Sequence, residues 1–259
     1  MSRLSVAPDI RSLKGRLDRF VTANRTAEGL LLDKLLNEHF RGFESVGIIG
    51  GLVRDVARGG RYAFKSDLDL VIQGDPTRVA ALAKRVGAIA NRFGGYGFTV
   101  GPWKIDFWAL HNTWAAMAGH VAVHDFADVI QCTFFDWDAV VYDLTNKRVV
   151  CDKAYLERIR SRHIEINLRP NPGEIGNLLR ATRRILRWNL VPGPRLSDFV
   201  LECLDDVAFS AMRAKESCKY SDRVLDDYVS AAELKAALLL GSKQDRLIEQ
   251  MDLPFEHVG

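Results

Sequence analysis

Two aspartates separated by one residue are the first chemically informative feature of the sequence. Asp67 and Asp69 belong to a segment, residues 67–72, whose polar and apolar side chains alternate at its start. Such alternation is typical of a β-strand, in which side chains two residues apart project from the same face. Two carboxylates so placed repel each other unless a cation lies between them, and Mg²⁺ prefers oxygen ligands. The pair therefore predicts a divalent-metal site.

A third carboxylate and a glycine pair extend this candidate site. Asp106 lies in another segment with the character of a strand. If that strand pairs beside the strand of Asp67 and Asp69, three carboxylates converge on a two-metal site for phosphoryl transfer. Gly50 and Gly51 precede a short predicted helix, where glycines let backbone amides approach a phosphate closely.

Arg54 follows the glycine pair within the same short predicted helix. In this position it would add a fixed positive charge for a phosphate. The alternative is a structural ion pair with Asp55 or with another acid. The sequence leaves both roles of Arg54 open.

A basic excess in the second half of the chain indicates an anionic partner. Residues 151–200 hold ten Lys and Arg against five Asp and Glu, whereas the whole chain has 36 against 33. Four arginines recur at the spacing of one helix face without an acid among them: Arg180, Arg183, Arg184 and Arg187. They predict contact with a triphosphate or an RNA backbone, with a solvated helix face as the alternative.

The elements that must position these residues are strands and helices in the N-terminal half of the chain and helices in the C-terminal half. Strands are predicted at residues 46–49, 67–72, 96–100 and 103–110, the last two joined by a turn at Gly101 and Pro102. Helices are predicted at residues 8–40, 52–57, 76–93, 155–163, 174–189, 195–217, 222–240 and 244–251. We therefore expect two domains, a head of residues 1–150 and a helical domain of residues 151–259.

The composition excludes several classes of protein. The 259 residues are 47% hydrophobic and 27% charged, which is typical of globular proteins and unlike disordered or fibrous chains. No uncharged apolar run approaches the roughly 20 residues that span a bilayer, and the N-terminus lacks a signal-peptide core. The four scattered cysteines form no C-x-x-C pair and are expected to be reduced thiols. We therefore expect a cytoplasmic protein without a membrane partner.

The order of these glycine, arginine and aspartate residues resembles a known family. The run Gly50–Asp55 (GGLVRD), followed by Ser66–Asp69 (SDLD), is similar to the head-domain signature of CCA-adding tRNA nucleotidyltransferases and bacterial poly(A) polymerases. These enzymes belong to the DNA polymerase β-like nucleotidyltransferase superfamily. Weaker similarity continues at residues 135–143 and at residues 178–183, the start of the family's neck helix. The resemblance covers residues 27–190.

The resemblance implies a fold, an activity and a set of site residues. The fold is α+β, a polymerase β-like nucleotidyltransferase head with a mixed sheet and flanking helices, followed by a small all-helical neck and C-terminal domain. The activity is transfer of NMP from NTP to an acceptor hydroxyl, foremost a tRNA-like RNA 3′ end, with release of pyrophosphate. The catalytic residues, which would hold two Mg²⁺ ions, are Asp67, Asp69 and Asp106. The nucleotide-binding residues are Gly50, Gly51, Arg54, Asp55, Ser66, Arg180 and Arg183.

Departures from the family pattern keep other functions open. The family's second motif opens with paired arginines, which residues 131–138 lack, and Asn177 stands where the family has an arginine that reads the incoming base. About seventy residues follow residue 190, which is short for the family's tRNA-gripping region. The alternatives are a small-molecule, protein or nucleotide acceptor, and a non-catalytic module that binds nucleotide or RNA. A homo-oligomer, or a partner chain that supplies acceptor binding, is a further alternative.

Overall fold

The computed structural model describes residues 5–60, 64 and 67–240, which form two compact units. The first unit comprises the chain up to residue 161 together with residues 167–170. The second comprises residues 162–166 and the chain from residue 171 onward. The sequence placed a boundary at residue 150, and the structure keeps the strand and helix next to that position in the first unit.

A seven-stranded mixed sheet forms the centre of the first unit. Its strands are β1 (Ser45–Ile49), β2 (Leu68–Gln73), β3 (Ile89–Ala90), β4 (Tyr96–Val100), β5 (Trp103–Ala109), β6 (Val140–Asp143) and β7 (Arg148–Cys151). Their spatial order is β3-β4-β5-β2-β1-β6-β7. Neighbouring strands pair antiparallel except β2 and β5, which are parallel. The four predicted strands are confirmed.

The turn between β4 and β5 is the tight hairpin connection predicted from the sequence. Val100 pairs with Trp103, so Gly101 and Pro102 alone form the loop. Gly101 has φ +56°, a left-handed conformation that glycine adopts without steric cost. The register of β5 against β4 is therefore fixed at this turn.

Seven α-helices belong to the described residues of the first unit, together with this sheet. They are α1 (Ile10–Val21), α2 (Ala27–Leu35), α3 (Gly51–Gly59), α4 (Pro76–Arg85), α5 (Trp114–Met117), α6 (Phe126–Val129) and α7 (Tyr155–Ser161), with a π-helical turn at Leu36–Phe40. The helical region predicted at residues 8–40 is divided because the Thr26 hydroxyl caps α2 by accepting a hydrogen bond from the Gly29 amide. Helix α4 ends at Arg85, earlier than predicted, because Ile89 and Ala90 pair with β4.

One face of the sheet is closed by an apolar cluster next to the candidate site. Ile49, Val71 and Val141 from three adjacent strands pack with Phe126 and Val129 of α6. Strand β1 is buried along its whole length. The strands that carry the polar residues are thus held by a buried centre.

The second unit is helical apart from one pair of very short strands. Its helices are α8 (Glu174–Trp188), α9 (Pro194–Cys203), α10 (Asp206–Lys219) and residues 231–240, and its strands are β8 (His163–Ile164) and β9 (Val191–Pro192). The helix predicted at residues 195–217 is interrupted, because Asp205 caps a new helix by accepting a hydrogen bond from the Ala208 amide. The helix predicted at residues 244–251 lies outside the described residues.

Among residues 5–60, 64 and 67–240, none of the helices combines the length and apolar character that crossing a bilayer requires.

Candidate active site

The three predicted catalytic aspartates lie at one end of the parallel strand pair. Asp69 of β2 is directly opposite Asp106 of β5. Asp67 precedes β2, and its carboxylate accepts a hydrogen bond from Lys104, which lies two residues before Asp106. The strand pairing on which the predicted convergence depends is therefore present, and it joins carboxylates that are distant in sequence.

The electrostatics of this face disfavour several negative charges together. Burial, followed by the charges of Asp106, Asp67 and Asp138, raises the pKa of Asp69 to about 7. Burial and the charge of Asp67 also raise the pKa of Asp106, against the opposing effect of Lys104. A carboxylate that is hard to ionise alone gains most from a bound cation, so the face favours positively charged ligands.

Lys104 is a functional candidate that the sequence reading missed. Its ammonium group donates a hydrogen bond to Asp67 and lies 3.8 Å from a carboxylate oxygen of Asp106. Its side chain is 55% exposed, so it reaches these acids from the solvent side. The signal was available, because Lys104 and Asp106 are two apart in a strand and share one face.

Gly97 is a second residue of this site that the sequence reading missed. It pairs with Asp106 across β4 and β5, and a Cβ atom at this position would lie 2.4 Å from Asp106 Oδ1. The absence of a side chain therefore makes room for the carboxylate. A glycine inside a predicted strand is itself a signal of such close approach.

The glycine pair forms a sharp turn from β1 into α3. Gly50 has φ +67° and its amide donates a hydrogen bond of 3.1 Å to the carbonyl of Val140, which fixes the turn to β6. Gly51 is the first residue of α3, and none of the described side chains caps this helix end. The first amides of a helix attract anions, so the turn is suited to a phosphate group.

Arg54 adopts the ion-pair alternative that the sequence left open. Its guanidinium donates hydrogen bonds to Asp55, at 2.9 Å, and to Asp138, and the residue is only 6% exposed. Burial opposes its charge, but Asp138 and Asp55 outweigh burial and raise the pKa of Arg54. Because Asp138 also acts electrostatically on Asp69, Arg54 neutralises an acid next to the carboxylate face. Asp138 was not predicted.

The predicted arginines of α8 belong to the second unit and differ in their surroundings. Arg183 is 8% exposed, pairs with Glu216 and, at 2.8 Å, with Asp222, and stacks on Tyr220. The arginine face therefore does meet acids, contrary to the argument from sequence, because they come from α10 and the segment after it. Arg180 is exposed and donates a hydrogen bond to Asn177. Ser66 lies outside the described residues.

The residues at the carboxylate face fit a divalent cation in their chemistry. Their donor atoms are carboxylate oxygens, Gly97 leaves space beside Asp106, and the ammonium of Lys104 stands as a cation between Asp67 and Asp106. Within the described ranges, no three His, Cys, Asp or Glu side chains are grouped as a metal site. Asp67 and Asp106 are both ion-paired with Lys104.

Comparison with solved structures identifies the fold. The chain is similar to a CCA-adding enzyme in complex with ATP, at 17% identity and a TM-score of 0.53, over 80% of this chain and 51% of that one. It is also similar to an apo form of a tRNA-processing enzyme, at 16% identity and a TM-score of 0.51, over 92% and 62%. No family model and no curated protein matches the sequence.

These similarities define the class of fold to which the chain belongs. At such low identity they show the fold alone, and the chain spans about half the length of the CCA-adding enzyme. The chain has the fold of these CCA-adding and tRNA-processing enzymes, a mixed-sheet head followed by a helical region, as the sequence predicted.

Proposed function

We propose that this protein is a divalent-metal-dependent nucleotidyltransferase that transfers NMP from an NTP to an acceptor hydroxyl and releases pyrophosphate. The observation that carries the proposal is the register of β2 and β5, which sets Asp69 beside Asp106 in this fold. The similar CCA-adding enzyme was solved with ATP, which supports an NTP as substrate. An RNA 3′ end is the acceptor that these similarities favour.

The carboxylates would hold the metal ions in this scheme. Asp67, Asp69 and Asp106 supply oxygen ligands suited to two Mg²⁺ ions. Bound Mg²⁺ lowers the pKa of an acceptor hydroxyl and balances the charge of a triphosphate. Gly97 keeps Asp106 in position because it leaves room for the carboxylate.

The turn at Gly50 and Gly51 would bind the triphosphate through backbone amides of α3. This role is supported by the left-handed Gly50 and by a helix end without a side-chain cap in the described residues. Arg54 is buried between Asp55 and Asp138, so we assign it to positioning this turn rather than to direct phosphate contact. Asp55 serves the same positioning role.

Acceptor and base recognition are assigned to the second unit. Arg180 is exposed on α8 and donates a hydrogen bond to Asn177, whereas Arg183 is buried and pairs with Glu216 of α10. The amide of Asn177 is buried and engaged with Asn171 and Arg180. We therefore propose Arg180 as the arginine of this face that contacts nucleotide or RNA, and the preferred base is left to experiment.

Pyrophosphate release tests the proposal directly. Each of the four NTPs is incubated with the protein and Mg²⁺, with and without total tRNA, beside the Asp67→Ala/Asp69→Ala variant. We expect release with tRNA and a loss of at least about a thousandfold in the variant, since metal-binding carboxylates are removed. Full turnover by that variant would refute the proposal.

A matched control separates loss of the site from loss of charge. Asp198→Ala/Asp227→Ala removes two exposed carboxylates of the second unit and should keep wild-type release. Release that is independent of tRNA would instead favour a small-molecule, protein or nucleotide acceptor. Binding of RNA without turnover in any condition would favour a non-catalytic binding module.

A further inference from the structure

The contacts of Lys104 are not explained by a site built only to hold metal ions. The ammonium group donates a hydrogen bond to Asp67 and lies 3.8 Å from Asp106. Both are carboxylates to which the proposed function assigns a cation. Lys104 lies in β5, two residues from Asp106, so the fold itself brings this positive charge to the face.

The lysine and a divalent ion would be attracted to the same two carboxylates, Asp67 and Asp106. A carboxylate whose charge is already balanced by an ammonium group binds a second cation less strongly. Two cations within about 4 Å of one another also repel, most strongly where water is partly excluded.

We propose that Lys104 is a built-in competitor of the divalent cation at this site. In the metal-free protein it balances the charges of Asp67 and Asp106. When a divalent ion binds, the lysine leaves, and its exposed side chain has solvent to enter. The inference rests on the proposed function, because it deepens the account of how that site accepts its metal.

Metal binding by Lys104 variants tests the competition without measuring turnover. Mn²⁺ is titrated into the full chain at fixed neutral pH and free Mn²⁺ is followed by electron paramagnetic resonance. We expect Lys104→Met to bind Mn²⁺ about tenfold more tightly than the wild type, because methionine keeps most of the side-chain length and removes the charge. Lys104→Gln should behave in the same way.

Two control variants separate the effect of charge at position 104 from the effect of removing a positive charge elsewhere. Lys104→Arg keeps the positive charge and should bind Mn²⁺ about as the wild type does. Lys84→Met removes a positive charge from α4, on an exposed position, and should also leave Mn²⁺ affinity unchanged. In EDTA, Lys104→Met should unfold at a lower temperature than Lys84→Met, because its acids have lost their counter-charge.

The outcomes distinguish this inference from the proposed function. Equal or weaker Mn²⁺ binding by Lys104→Met overturns the competition, while turnover by the wild type and its loss in Asp67→Ala/Asp69→Ala would leave the proposed function standing. Absence of Mn²⁺ binding in every variant overturns the inference as well. Tighter binding by Lys104→Met together with no pyrophosphate release from any NTP supports the competition and refutes the transferase.

Discussion

At the level of single residues, the protein concentrates negative charge where it cannot be well hydrated. The negative charge of Asp69 is disfavoured by burial and by three neighbouring acids, and it is favoured by one cation, Lys104. The three acids are Asp106, Asp67 and Asp138. Such a group is retained at a cost in stability, because the charged form is disfavoured. A bound cation removes this cost. The site therefore lowers the stability of the free protein and raises its affinity for positively charged ligands.

The raised pKa of Asp69 gives a stability prediction with a defined sign. The pKa of Asp69 is about 7 in the fold and 3.8 in the unfolded chain. Its contribution to the stability of the fold is therefore fully present below about pH 4 and is lost as the pH rises through about 7. In EDTA at about pH 8, Asp69→Asn should therefore be more stable than the wild type by up to about 4 kcal/mol. Urea unfolding across pH measures this difference.

The control for this experiment is the exposed carboxylate Asp198. Asp198→Asn should leave the pH dependence of unfolding unchanged. Saturating Mg²⁺ at about pH 8 should reverse the order of stability, because the wild type alone retains the full set of acids. A stability gain in Asp69→Asn that is the same at all pH values would contradict the assignment.

At the level of elements, the close approach of β4 to β5 shapes the site. Gly97 lies opposite Asp106, and a Cβ atom there would overlap the carboxylate oxygen. The neighbouring pair Phe98 and Ile105 is buried on the other face of the sheet, so the two strands are not free to separate. A side chain at position 97 must therefore move Asp106.

Gly97→Ala should damage the site more than the fold. We expect pyrophosphate release to fall by about tenfold to a hundredfold, because Asp106 is turned away from its position. Unfolding stability should change by no more than about 1 kcal/mol, since alanine suits a strand as well as glycine does. Steady-state kinetics and urea unfolding give the two quantities.

Gly42→Ala is the matched control, because a Cβ atom at Gly42 meets nothing within 4 Å. It should leave both release and stability near wild-type values. Equal turnover by Gly97→Ala and Gly42→Ala would show that Asp106 tolerates displacement or does not act in the reaction.

At the level of the whole molecule, the sequence was sufficient to predict features that depend only on neighbouring residues. Alternation predicted the strand of Asp69, the hairpin pattern at Gly101 and Pro102 predicted the strand of Asp106, and the glycines predicted the turn before α3. The sequence was insufficient to predict ion pairs whose second residue comes from a distant segment. Asp138, which neutralises Arg54, is 84 residues away, and Glu216, which neutralises Arg183, is 33 residues away. A basic or acidic pattern in sequence does not reveal such partners.

Binding of nucleotide should stabilise the whole chain against heat. With Mg²⁺ and a preferred NTP at about a hundred times its Kd, ligand linkage adds about 2.7 kcal/mol, which raises the Tm by several degrees. Asp67→Ala/Asp69→Ala should show no such rise, because it cannot hold the metal. Differential scanning calorimetry measures both.

The same titration without Mg²⁺ is the control for the wild type. An equal rise of Tm with and without Mg²⁺ would indicate that nucleotide binds independently of the carboxylates. In that case the binding-module alternative would gain support over the transferase.

The two-residue turn at Gly101 and Pro102 has a consequence for how this sequence can change. Side chains of β5 alternate between the polar face and the buried core, so a turn longer or shorter by one residue would exchange the two sides. Lys104 and Asp106 would then enter the interior, and Ile105 would take their place in solvent. We therefore expect a change of one residue in the length of this turn to displace Lys104 and Asp106 from the site.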